Sequence, residues 1–80
     1  MKESARQKEI DVLLGEKLKY YRKEERITQE RLAKRMTISG YVTATRLTVS
    51  RLEQGKQHFT ADILLAIKNA LDLSIDEFLG

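Results

Sequence analysis

The side chains able to do chemistry in this chain cluster in its middle third, and they are suited to binding rather than reaction. Residues 27–58 carry Arg31, Lys34, Arg35, Arg46, Arg51 and Lys56 against only Glu30 and Glu53. The flanks differ. Residues 59–80 set Lys68 against Asp62, Asp72, Asp76 and Glu77, and the basic residues before position 27 are nearly balanced by acidic ones. The overall charge of +3 therefore sits on the central segment. Such a segment attracts a polyanion, because neutralising the polyanion's charges releases its condensed counterions. A solvated surface with a chance asymmetry has the same balance, so charge alone leaves both readings open.

Reactive groups are scarce. The sequence has no cysteine and a single histidine, His58. That rules out a disulfide framework and cysteine-based metal sites. His58 reads as a polar loop residue, since no set of metal ligands accompanies it. The carboxylates are scattered and no Gly-rich phosphate loop is present. No enzyme activity, cofactor, metal or small-molecule ligand is expected. Eighty residues bound the chain to one small domain with a modest core. No apolar run is long enough to span a bilayer and no signal-peptide pattern opens the chain, so a soluble, cytoplasmic protein is expected.

The elements that must position the basic residues read as helices. Proline is absent, and glycine and aromatics are few. Ser4 and Gln7 have the spacing of a capping box. From there Ile10, Leu14, Leu18 and Tyr21, with Leu13 beside them, form one apolar face of a helix from about Ser4 to Glu25, broken or weakened at Gly15. The first ten or so residues are polar enough to fray. Thr28 is an N-cap, with Leu32, Ala33 and Met36 facing inward and Arg31, Lys34 and Arg35 outward. Thr45 is the next N-cap, Val49 and Leu52 make a short inner stripe, and Gly55 suits a left-handed C′ position. Thr60 caps a helix with Leu64, Ile67 and Leu71 on its inner face. Ser74 and Glu77 form a capping box before Phe78 and Leu79. The expectation is five helices and no sheet.

Between these pieces lies an uncharged, β-branched stretch, Met36-Thr-Ile-Ser-Gly-Tyr-Val-Thr-Ala-Thr45. Two readings apply. Either the turn is lengthened and the next helix begins near Thr45, or Thr37–Ser39 is the turn and a longer helix begins near Gly40. Gly40 and the β-branched run make poor helix, which favours the first. The stretch either approaches a ligand through its hydroxyls or covers the core with Ile38 and Val42.

The order of these segments resembles a Cro/C1-type (Xre-like) helix-turn-helix domain, the fold of phage repressors and many small bacterial regulators. Leu14–Arg22 resembles its first helix, Ile27–Ala33 its second, Val49–Lys56 the end of its third, and Thr60–Leu71 and Leu73–Leu79 its last two. The resemblance spans Leu14 to Gly80 and implies an all-α, five-helix, lambda-repressor-like fold. It divides the chain into an N-terminal extension, 1–13, expected to be helical, and a domain, 14–80. Within the domain, helix 2 covers about 28–36, an insertion 37–44, and the recognition helix about 45–54. Departures from the family pattern are the longer spacer, Arg26 and Asp72 where turns usually have glycine, and Phe59 where proline is common.

The resemblance also implies a site. In such folds the third helix enters the major groove of DNA. Arg46, Leu47, Thr48, Ser50 and Arg51 then fall where base edges are read: arginine can bridge O6 and N7 of guanine, and an apolar side chain can meet a thymine methyl. Leu47 has a second reading, packing under the inserted loop. Phosphate contacts are expected from Thr28 and Gln29 at a helix start, from Tyr41, Thr43 and Thr45, and from Gln54, Lys56, Gln57 and His58. Arg22 and Glu53 match family positions that form an ion pair. Ile75, Phe78 and Leu79 are candidate dimer contacts, with the outer face of helix 4.

The implied function is a sequence-specific regulator of transcription that binds double-stranded DNA, a repressor-like homodimer on a two-fold operator, with no membrane partner. A bacterial cell is the expected setting, with a phage or mobile element as a possible source. The alternative is a protein-interaction module of the same fold, such as an antitoxin or anti-repressor partner, without DNA binding of its own.

Overall fold

The computed structural model describes residues 2–80, with side chains from residue 5 onward. Five helices follow in order: α1 (Lys2–Glu24), α2 (Gln29–Ile38), α3 (Arg46–Glu53), α4 (Ala61–Leu71) and α5 (Ile75–Leu79). No strand occurs among the described residues.

Four helices begin with a side-chain oxygen accepting from a backbone N–H that the helix cannot satisfy itself. Thr28 accepts from Arg31, Thr45 from Thr48, Thr60 from Ile63 and Ser74 from Glu77. The caps at Thr45 and Ser74 are reciprocal, with Thr48 and Glu77 returning the bond to the cap's own N–H. Ser4, expected as the cap of α1, lies inside that helix, and its side chain is outside the described residues. Gln7 instead donates to Asp11 Oδ1 at 3.0 Å.

The core joins Leu18 of α1, Leu32, Ala33 and Met36 of α2, Val49 and Leu52 of α3, Ile63, Ala66, Ile67, Ala70 and Leu71 of α4, and Phe59 and Phe78. Helix α3 packs against both α1 and α2, and α4 against α2. Phe78 is 1% exposed, its ring centroid 6.2 Å from Tyr21 and 6.3 Å from Phe59. Two further bonds tie α5 to α1: Tyr21 Oη donates to the Glu77 carbonyl at 3.1 Å, and Lys17 Nζ to the Leu79 carbonyl at 2.9 Å.

Several expectations are corrected here. Helix α1 runs unbroken through Gly15. The glycine is there for proximity: a Cβ would stand 2.9 Å from the Glu53 carbonyl oxygen and closer still to that of Leu52. Its missing side chain lets α3 lie directly on α1. Ile10 and Leu13 are exposed, because the buried face of α1 runs instead through Asp11, Leu14, Leu18 and Tyr21. Phe78 is a core residue and has no surface to offer a partner. Arg35 turns toward α4, donating to the Ala70 carbonyl at 3.3 Å.

Arg26 and Asp72 both adopt the left-handed conformation, with φ of 58° and 53°. They occupy the turns where the family pattern favours glycine. Gly55 ends α3 with φ 72°, and a Cβ there would lie 2.7 Å from Val12 Cγ2.

Candidate nucleic-acid interface

Helix α3 is short, and its two faces differ sharply. Val49 and Leu52 are fully buried, whereas Arg46, Leu47 and Arg51 are exposed. Leu47 is 57% exposed, which removes the reading in which it packs under the inserted loop. A large apolar side chain is thus held in solvent beside two guanidinium groups, on the second residue of the helix. Thr48 and Ser50 are half-buried and already engaged. Thr48 Oγ1 accepts from the Thr45 N–H at 3.1 Å, and Ser50 Oγ accepts from Gln54 Nε2 at 2.9 Å. Of the five expected base-contact residues, Arg46, Leu47 and Arg51 are the exposed ones.

The orientation of α3 depends on a buried ion pair. Arg22 Nε donates to Glu53 Oε2 at 2.6 Å and Arg22 Nη2 to Oε1 at 3.2 Å. The two side chains are 12% and 4% exposed. The third arm of Arg22, Nη1, reaches the Ile27 carbonyl at 2.8 Å. One guanidinium therefore links α1, the turn before α2 and the end of α3. The bidentate geometry specifies an angle as well as a distance.

Gln29 joins this network. Its Nε2 donates to Glu53 Oε1 at 3.0 Å, which uses one of the amide's two N–H donors. At the start of α2, outward donors come from the backbone N–H groups behind the Thr28 cap. Thr28 itself is exposed.

The enlarged turn is built on Thr37. Its Oγ1 lies 3.0 Å from the Ala33 carbonyl, accepts from the Ala44 N–H at 2.9 Å, and approaches the Ala44 carbonyl at 3.1 Å. That hydroxyl ties the end of α2 to the residue before the Thr45 cap. The chain leaves α2 only after Ile38, turns at Ser39–Tyr41 and runs without regular secondary structure to the extended Thr45. Val42 and Ala44 pack on the core, but Ile38 is 83% exposed and covers nothing. Tyr41, Thr43 and Thr45 line the exposed side of the loop, next to Arg46 and Leu47.

Beyond α3, Lys56 is exposed, Gln57 is half-buried, and the His58 ring is largely exposed. Nδ1 of His58 is 2.6 Å from Asp11 Oδ2. Asp11 is only 2% exposed and is the buried charged residue that the sequence analysis missed. A signal was present: Asp11 stands three residues before Leu14 and seven before Leu18, on the buried face of α1. Its partners explain the burial. Among the described residues, no buried side-chain nitrogen or oxygen lacks a hydrogen-bond partner. Nor does any group of His, Asp and Glu among them have the arrangement of a metal site.

Fold and site together define an all-helical domain that presents a short, basic-edged helix on a buried scaffold. The helix-turn-helix family model matches residues 18–78, and the chain belongs to that family, in its Cro/C1-type form. It is a DNA-binding domain of the kind found in helix-turn-helix regulators. No curated protein and no solved structure gives a significant match. No helix among the described residues is long and apolar enough to cross a membrane.

Proposed function

We propose that this protein is a sequence-specific, repressor-like regulator that acts as a homodimer on a two-fold DNA site, reading the major groove with α3. Residues 14–80 form the reading domain and residues 1–13 its N-terminal extension, helical from Lys2. The observation that carries the reading is the outer edge of α3. Arg46, Leu47 and Arg51 are exposed together on a helix whose other face is fully buried and whose angle is held by Arg22 and Glu53. The two arginines suit guanine edges, and Leu47 suits a thymine methyl between them. Tyr41, Thr43 and Thr45 on one side and Lys56, Gln57 and His58 on the other flank that edge, where groove-lining phosphates would lie. Leu79 and Ile75, partly exposed at the end of the fold, are the remaining candidates for the dimer contact.

Selection of bound duplexes from a random DNA pool tests this directly. The expected product is a motif with two-fold symmetry and half-site centres about one helical turn apart. Recovery of no motif, with binding insensitive to salt, would remove the reading. A protein-interaction role is supported by one observation: Ile10, Leu13, Tyr20 and Ile38 place large apolar side chains in solvent away from α3. It predicts a blank DNA-shift assay with a co-purifying protein partner.

A further inference from the structure

Upstream of the family match, α1 makes a second connection to the α3–α4 loop. Asp11 meets His58, and Val12 packs against Gly55. One turn nearer the N-terminus, Lys8 Nζ donates to the Gly55 carbonyl at 3.1 Å. Lys8, Asp11, Gly55 and His58 line a cleft with Lys56 and Gln57. It lies directly after the C-terminal end of α3.

The charges in this cleft are arranged for an anion. Lys8 and Lys56 face it from opposite elements. Among the described residues the lining holds one negative group, Asp11, whose side chain is 3% exposed, with one oxygen on Gln7 and the other on His58. An ammonium group has three N–H donors and no acceptor. The Gly55 carbonyl occupies one donor of Lys8, which fixes the group at the rim and leaves two for an oxyanion. The carbonyl offers Lys8 no compensating charge, and among the described residues Lys8 makes no ion pair.

We infer that Lys8, anchored on Gly55 beside Lys56, binds a phosphate of the DNA backbone flanking the groove entered by α3, and so extends the interface beyond the helix-turn-helix unit itself. This inference rests on the DNA-binding reading. It makes the helical extension part of the binding surface. Asp11 acts through position: by holding His58 and the α3–α4 loop against α1, it brings the two lysines to one cleft.

The salt dependence of binding to a mixed-sequence duplex tests it. One phosphate contact contributes about 0.9 to the slope of log K against log[salt]. Lys8→Gln should therefore lower the slope by about that amount, and its deficit relative to wild type should shrink about 3.5-fold between 50 and 200 mM salt. Lys8→Arg should retain the wild-type slope. Lys17→Gln, on the side of α1 that faces α5, should also leave it unchanged. A Lys8→Gln protein with the wild-type slope overturns the inference, whether its affinity is unchanged or reduced equally at every salt concentration. The second pattern would assign Lys8 a purely structural role. If wild-type protein itself shows no salt-dependent binding, the DNA-binding reading fails first, and the two failures are thereby separated.

Discussion

Replacing Glu53 with alanine should cost both stability and DNA affinity, and the structure sets the scale. The carboxylate accepts from Arg22 Nε, Arg22 Nη2 and Gln29 Nε2, at 2.6, 3.2 and 3.0 Å. Its removal leaves a guanidinium that is 12% exposed with one remaining bond, to the Ile27 carbonyl. Breaking a buried pair by deleting one partner costs about 3–5 kcal/mol, because the other charge is left uncompensated. The residual exposure of Arg22 admits some water, which places the loss near the lower end, about 3 kcal/mol. A domain of this length has about 4–12 kcal/mol of stability in total. The loss therefore translates into a drop in Tm of about 12–24 °C. Urea unfolding followed by circular dichroism measures it. DNA affinity is then compared at a temperature where both proteins are folded, and Glu53→Ala should bind more weakly because α3 has lost its angular restraint. A loss below about 1 kcal/mol, the worth of an exposed pair, would refute the reasoning. The double variant Arg22→Met with Glu53→Leu sharpens the test. Apolar replacement of both partners should restore most of the stability, while DNA affinity stays reduced if the pair's function is orientation.

Three further outcomes follow from particular positions. Arg26→Gly should raise stability by about 0.5–1 kcal/mol in urea unfolding, since relief of a left-handed arginine outweighs the extra freedom of glycine in the unfolded chain; Asp72→Gly should gain less, because aspartate tolerates that conformation better. Arg51→Ala should lose about 1–3 kcal/mol of binding and relax selectivity at one base position, whereas Lys56→Ala should weaken all sequences alike and flatten the salt slope. Phe78→Ala should destabilise by about 3–5 kcal/mol as a core truncation. A Phe78→Ala protein that melts normally but fails to self-associate would return that residue to the dimer surface.

Elements whose cause is local were legible in the sequence. Thr28, Thr45, Thr60 and Ser74 are short polar side chains ahead of apolar stripes, and each caps a helix because the bond it makes spans three residues. Val49 and Leu52 are buried as their spacing indicates. Arg22 and Glu53 were reached only through the resemblance, since nothing local joins residues 31 positions apart.

Errors arose where one helix had to meet another. Gly15 looks like a helix breaker in one dimension, yet it is the surface on which α3 rests. Gln29 makes a bond to Glu53 that its place at a helix start does not reveal. The same holds for Phe78, Asp11 and Lys8, whose roles depend on partners far along the chain.

The division is sharpest in the α2–α3 spacer. Its composition marked residues 37–44 as a turn, because Gly40 and β-branched side chains disfavour helix locally, yet Thr37 and Ile38 are the last residues of α2 and the turn starts only at Ser39. Composition could not show that Thr37 would tie the loop's two ends together, leave Ile38 in solvent and fold Val42 onto the core. The sequence by itself thus determined the five helices and the caps of α2 to α5, which are properties of neighbouring residues, and, through the order of its segments, the class of domain. The tertiary structure decided which side chains remain free to touch DNA, because a side chain is free only when no distant partner has claimed it.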